Sequence, residues 1–127
     1  MTSELTVYTY ANCDTCRRAV KWLDAHGIDF TEKPIRETPP SPAELRSMRT
    51  RLGGGTLGTR KLFNTSGVDY RELKISEKLP GLTDGEVIAL LAGNGNLIKR
   101  PFVLGEGRDG VGLVGFDPVI WSAVLRA

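Results

Sequence analysis

Apolar and polar positions change period several times along the chain, and each change predicts an element. Thr6-Val7-Tyr8-Thr9-Tyr10 alternates as a half-buried strand does, and Ala11-Asn12 turns it. Ala19, Val20 and Leu23 follow Cys16 at i+3, i+4 and i+7, which predicts a helix from about Asp14 to Ala25, ended by Gly27. Ile28–Lys33 alternates again and reads as a second strand, broken by Pro34 and by Thr38-Pro39-Pro40. Ser41-Pro42-Ala43-Glu44 is a capping box with proline at the first helical position. The helix it opens carries Leu45, Met48, Arg49 and Leu52 and stops at Gly53-Gly54-Gly55.

From Gly53 to Gly67 no period holds. Lys61–Phe63 reads as one helical turn, Asn64–Gly67 as a turn or cap, and Val68–Lys74 as a short helix. Thr83-Asp84-Gly85-Glu86 is a second capping box, opening a helix through Val87, Ile88, Leu90 and Leu91 that ends at Gly93–Asn96. Phe102–Leu104 and Val111–Phe116 then read as a hairpin around a turn at Gly105–Gly110. Asp117-Pro118 caps a last helix, with Val119, Ile120, Val124 and Leu125 predicted on its inner side.

The order β-α-β, helices, β-β-α is that of a thioredoxin-like α/β fold with a central helical insert. The expectation is one domain over 1–127, its core at about 4–39 and 97–127 and its insert at about 40–96. Composition fits: 127 residues, 40% hydrophobic and 25% charged, suit one globular domain. A net charge of +2 gives no ground for direct nucleic-acid binding. The apolar runs fall short of the ~20 residues a membrane helix needs. MTSELTVYTY shows no signal-peptide pattern, and with two cysteines in C-x-x-C spacing a reducing cytoplasm is expected; a monomer is expected too.

The chemistry gathers at Cys13 and Cys16. The pattern puts Cys13 at the mouth of a strand-to-helix turn and Cys16 one turn inside, on the same face. A C-x-x-C so placed reads as a redox motif. The reacting species is the thiolate, which the unpaired N–H groups and dipole of a helix start favour, with Arg17 and Arg18 adding positive charge. Cys13 is therefore the expected nucleophile and Cys16 the resolving thiol. Two other readings stand beside this one. A zinc site would need two more ligands, and the chain has one histidine, His26, at the far end of the helix. Cys16 could also serve only as a small buried apolar residue. His26 itself is expected to stabilise the helix C-terminus. Arg46, Arg49, Arg51, Arg60 and Lys61 form a basic stretch, by default a solvated face and otherwise a docking surface for an acidic protein.

Four segments in order, YANCDTCRRAVKWL, KLFNTSGVDYREL, LIKRPFVL and the late VGF, resemble the ArsC/Spx family of arsenate-reductase-like proteins with a thioredoxin fold. The resemblance runs from Thr6 to about Phe116 and implies two activities. In the arsenate reductases the first cysteine, matched by Cys13, attacks arsenate, and glutathione or a glutaredoxin resolves the adduct. Three arginines hold the oxyanion there. Arg100 matches one, while Asn64 and Gly115 stand near the other two, and Arg60 or Arg108 could substitute. In the Spx-like branch, which the C-x-x-C and FNTSG resemble more closely, the cysteine pair is a redox switch on a protein that binds the RNA polymerase α subunit. A third implied activity is a plain thiol–disulfide or glutathione-dependent reductase.

The expected substrate is thus a small oxyanion or a thiol, with glutathione, a glutaredoxin or a thioredoxin as electron donor and no bound cofactor. Pro101 is expected to be cis, facing Cys13, with backbone beside it open to an incoming thiol peptide. Its simpler reading is an edge-strand proline. Arg100 is expected to stabilise an anion at Cys13, against the reading of a surface charge. Asn12 and Arg17 are expected to support that site or face the substrate.

Overall fold

The computed structural model describes residues 5–105 and 111–125. Four strands form one sheet in the order β2-β1-β3-β4: β1 is Leu5–Thr9, β2 Thr31–Pro34, β3 Phe102–Gly105 and β4 Val111–Val114. β1 runs parallel to β2, with Val7 opposite Glu32, and antiparallel to β3, with Val7 opposite Val103. β3 and β4 pair antiparallel as anticipated. The turn read at Gly105–Gly110, and Arg108 with it, lie outside the described residues apart from Gly105.

The parallel β1–β2 pair needs a crossover, supplied by helix α1, Asp14–Ala25. Its buried residues Cys16, Ala19 and Leu23 form the predicted stripe. The chain leaves α1 through Gly27 at φ +65, a left-handed conformation that glycine adopts without a Cβ clash. β2 starts three residues later than the alternation suggested and includes Pro34. Pro34 is tolerated because β2 is an edge strand, where a missing N–H costs no ladder bond.

Helix α7, Pro118–Leu125, closes this part of the molecule, and here the predicted inner face holds for Leu125 but not for Val119, Ile120 and Val124. Trp121 and Leu125 are buried, whereas Val119, Ile120 and Val124 are 79%, 52% and 38% exposed. The large indole decides the rotation. Trp121 packs edge-on against Phe116 at 4.9 Å and Trp22 at 5.9 Å, and its Nε1–H donates to the Gly115 carbonyl at 3.2 Å. Turning the indole inward buries a large apolar ring with its N–H satisfied, and leaves the two valines and the isoleucine facing outward. Leu5, Val7, Ala19, Leu23, Val103, Val111, Leu113, Trp121 and Leu125 make up the core of this unit, which is Met1–Pro34 with Arg100–Ala127.

The second unit, Ile35–Lys99, is helical. Helices α2 (Pro42–Arg51) and α6 (Asp84–Ala92) begin at the two predicted capping boxes, both fully formed around Ser41 and Thr83. The glycine-rich stretch holds a helix that its composition hid, α3 at Gly55–Lys61. Gly58 explains it: a Cβ there would meet the Arg49 carbonyl at 2.5 Å, so glycine lets α3 lie against the end of α2. The predicted Val68–Lys74 helix is α4, which ends at Glu72 (Val68–Glu72); beyond Lys74, at φ +53, follows an unpredicted short helix, α5 (Ile75–Lys78). Asp69 ties this region together by accepting from the side-chain amides of Asn94 and Asn96.

A cysteine pair at the mouth of the first helix

Cys13 is the N-cap of α1, with extended backbone (φ −104, ψ 110). That position ordinarily holds Ser, Thr, Asp or Asn, whose oxygen accepts a free N–H of the first turn. Here the acceptor is sulfur: the Cys16 N–H points at Cys13 Sγ, 3.2 Å away. The backbone is fixed on both sides. Cys13 N–H donates to the Tyr10 carbonyl at 3.0 Å, and the Cys13 carbonyl accepts from Arg17 N–H at 3.1 Å. Cys13 is half-buried, Cys16 is only 2% exposed, and both are free thiols.

The two sulfurs therefore meet different surroundings. Burial, then the hydrogen bond with Cys13, push the Cys16 thiol up to about 12; the backbone at Tyr10 and the charge of Arg100 pull the other way and are outweighed. Cys16 keeps its proton across the physiological range, while Cys13 faces solvent with an N–H aimed at its sulfur.

Arg100 precedes Pro101, the residue before β3, and its guanidinium sits over the Tyr10 ring, 4.8 Å from the centroid. Its Nη1 is buried and has no hydrogen-bond partner among the described residues. A buried cationic N–H left without an acceptor is costly. The Arg100–Pro101 peptide is cis, as the resemblance implied. The Pro101 carbonyl accepts from Gly115 N–H at 2.9 Å, so that oxygen is occupied within the fold.

The neighbouring arginines have local partners of their own. Arg17 Nη1 donates to the Ala11 carbonyl at 2.7 Å and its Nη2 lies 3.8 Å from Asp14, while Arg18 pairs with the same carboxylate at 3.3 Å. Both clamp the turn and the first helical turn. Asn12 is exposed in that turn. Asn64 lies in the helical unit, where its N–H donates to Leu97 and its carbonyl accepts from Gly67. Gly115 ends β4 at φ +72. Arg60 lines a cavity of about 560 Å³ within the helical unit, and Arg49 turns to Asp84 at 3.3 Å.

Three residues beside the cysteines were not singled out from sequence. Tyr10 supports Arg100. Thr9 and Glu32 are joined by a 2.6 Å hydrogen bond and line, with Cys16 and Val20, a cavity of about 260 Å³. The one available signal was Thr9, a polar residue on the alternation phase of Val7, which faces the core.

A four-stranded sheet with a C-x-x-C capping the helix after β1, and a cis-proline opening β3, defines a thioredoxin-like thiol redox protein. The chain belongs to the ArsC family, whose pattern it matches over residues 8–123. It is 48% identical over 97 residues to the uncharacterized protein YusI of Bacillus subtilis, covering 76% of this chain and 80% of that one. It is 34% identical over 112 residues to the global transcriptional regulator Spx of Streptococcus pyogenes serotype M3, covering 85% and 77%. Among solved structures, an ArsC family related protein from Bacteroides fragilis superposes with a TM-score of 0.83 at 42% identity, over 95% of this chain and 97% of that one.

Proposed function

We propose that this protein is an arsenate-reductase-like thiol–disulfide oxidoreductase of the cytoplasm. Cys13 attacks a small disulfide substrate and releases one half as a thiolate, Cys16 resolves the mixed disulfide and releases the other half, and glutathione, a glutaredoxin or a thioredoxin restores the dithiol. One observation carries this reading: the two sulfurs are unequal, Cys13 half-buried with the Cys16 N–H on its sulfur, Cys16 enclosed and held protonated. A nucleophile must be reachable and ionised, whereas a resolving thiol acts only after the first bond has formed.

Arg100 supports anion binding at the same place. Asn64 and Gly115, near which the arsenate-reducing pattern has arginine, favour a disulfide over arsenate. Each lost arginine–oxyanion contact is charge-assisted and worth about 1.5–3 kcal/mol, so arsenate is a poor substrate on this reading. The test is turnover of bis(2-hydroxyethyl) disulfide and of arsenate, each with glutathione and glutaredoxin, for wild type and Cys13→Ser. Disulfide turnover that Cys13→Ser abolishes is expected, with arsenate turnover near background. Robust arsenate turnover would instead restore the oxyanion reading, and no turnover of either would remove the enzyme.

A second reading has its own support in the Spx likeness and the shared C-x-x-C: a redox switch that binds the RNA polymerase α subunit. Under that reading, purified α subunit binds the protein with an affinity that changes when the Cys13–Cys16 pair is oxidised. Equal or absent binding in both redox states would exclude it.

A further inference from the structure

The cysteines belong to one unit of the chain, and the helical unit holds a cavity of its own. We propose that this cavity binds a small aromatic carboxylate, with the ring among its apolar side chains and the anion at Arg60. The proposal is independent of the thiol chemistry above.

The cavity has a volume of about 560 Å³, and every residue lining it lies within Ile35–Lys99. Pockets that enclose a small organic ligand run from about 300 to 1,000 Å³, mostly apolar with a few polar groups that fix orientation. This one has that make-up. Phe63 and Val87 are buried in its wall, and Tyr70 and Leu82 are half-buried there. Phe63 and Tyr70 already meet edge to face at 5.8 Å, so one side of the cavity is aromatic. A further ring gains from such a side both area and the quadrupole contact that aromatic pairs prefer.

Charge selects the other end of the ligand. Two ionised side chains line the cavity, Arg60 on α3 and Asp84 on α6. Asp84 has a partner, since its Oδ2 lies 3.3 Å from Arg49 Nη1. Arg60 has no ion pair among the described residues. The cavity therefore carries one uncompensated positive charge. That suits a monoanion and disfavours a cation, and a dianion such as a phosphate monoester would bring excess charge beside Asp84. A guanidinium is planar and presents paired N–H donors at the spacing of the two oxygens of a carboxylate. The buried Thr59 hydroxyl, next to Arg60, already donates to the Gly55 carbonyl at 2.9 Å, so it does not compete for the anion. The sequence offered Arg60 as a stand-in anion ligand for the cysteine; the fold assigns it to this cavity instead.

The experiment uses 3-phenylpropionate as the probe and 3-phenylpropionamide, its uncharged isostere, as the control. Each is titrated into the isotope-labelled full chain at fixed pH, and backbone amide shifts are followed by nuclear magnetic resonance. For the carboxylate a Kd of about 0.1–5 mM is expected, the range for a ligand of this size. The shifts should concentrate in α3, at Tyr70 and from Leu82 to Val87. Nuclear Overhauser effects from the ring protons to the methyls of Leu82 and Val87 should place the ring directly. The amide should bind at least about fivefold more weakly, because it lacks the charge-assisted contact. Arg60→Gln should weaken the carboxylate about 5–20-fold and change the amide less than about twofold. Arg60 is exposed, so this substitution removes no core side chain, and the ligand-free spectrum verifies the fold. No shifts at about 10 mM 3-phenylpropionate overturn the proposal. Ring contacts to residues outside the helical unit overturn it as well. Equal affinity for acid and amide, or a carboxylate affinity that Arg60→Gln leaves unchanged, overturns the anion's place at Arg60 and with it the ligand class.

Discussion

The helix mouth at Cys13 and the wall one turn below it at Cys16 belong to the same α-helix and carry the same side chain, yet they impose opposite chemistry. At the mouth, N–H groups of the first turn have no carbonyl to bond, and sulfur takes the part of a capping oxygen. One turn on, the Cys16 side chain is only 2% exposed and burial dominates. Three residues of spacing turn one thiol into an attacking group and the other into a reserve. A C-x-x-C is effective at a helix start because the start is where the electrostatic environment changes most over one turn.

The largest effect that tests this contrast comes from removing the reserve. Cys16→Ser leaves the capping geometry, since the Cys16 contribution to Cys13 is a backbone N–H. Mixed disulfides on Cys13 should then persist by orders of magnitude longer than in wild type, read by intact mass after mild disulfide treatment. Rapid loss of the adduct would show that an external thiol resolves it and that Cys16 is only a core residue. Next in size is selective labelling. A short iodoacetamide pulse near neutral pH should modify Cys13 at least about 100-fold faster than Cys16, followed by peptide mass spectrometry. Comparable labelling would erase the contrast.

A smaller effect tests the charge at the mouth. Arg100→Met should slow Cys13 alkylation about 3–10-fold, the scale of one charge-assisted interaction partly screened by solvent. An unchanged rate would return Arg100 to a packing role over Tyr10. The smallest concerns stability. Because the folded Cys16 thiol is raised from 9.0 to about 12, the native state holds a proton that the unfolded chain releases. The stability this contributes is complete below pH 9 and is lost as pH climbs toward 12. Denaturant midpoints should show wild type falling relative to Cys16→Ala over that window, by about 1–3 kcal/mol. Parallel curves would mean that the Cys16 site is wetter than its burial implies.

Much of the site was legible because it rests on local rules. Two capping boxes, the stripe of α1 and the alternation of β1 each depend on residues within one or two turns of each other, and the structure follows them. What was not legible depends on distant partners. α3 exists because Gly58 admits the Arg49 carbonyl, and glycine content read locally argues for a loop instead. The inner face of α7 turns on Trp121 finding Trp22, Phe116 and the Gly115 carbonyl, none of which its helical spacing contains. Glu32 looked like an ordinary charge on an edge strand until the β1–β2 register set it beside Thr9.

The aromatic cluster that rotated α7 also gives the protein an optical gauge. The chain's two tryptophans, Trp22 and Trp121, are both in it, with ring centroids 5.9 Å apart and planes at 88°. Two indole transitions held that close couple, and coupled transitions rotate circularly polarised light according to their mutual angle. One partner rides on the helix that begins at Cys13; the other is anchored to the strand end by its N–H. A displacement of α1 by a degree or two as the cysteines change redox state would alter the near-ultraviolet dichroism. The native spectrum thus reads the position of α1 against that strand end, with no dye and no added label.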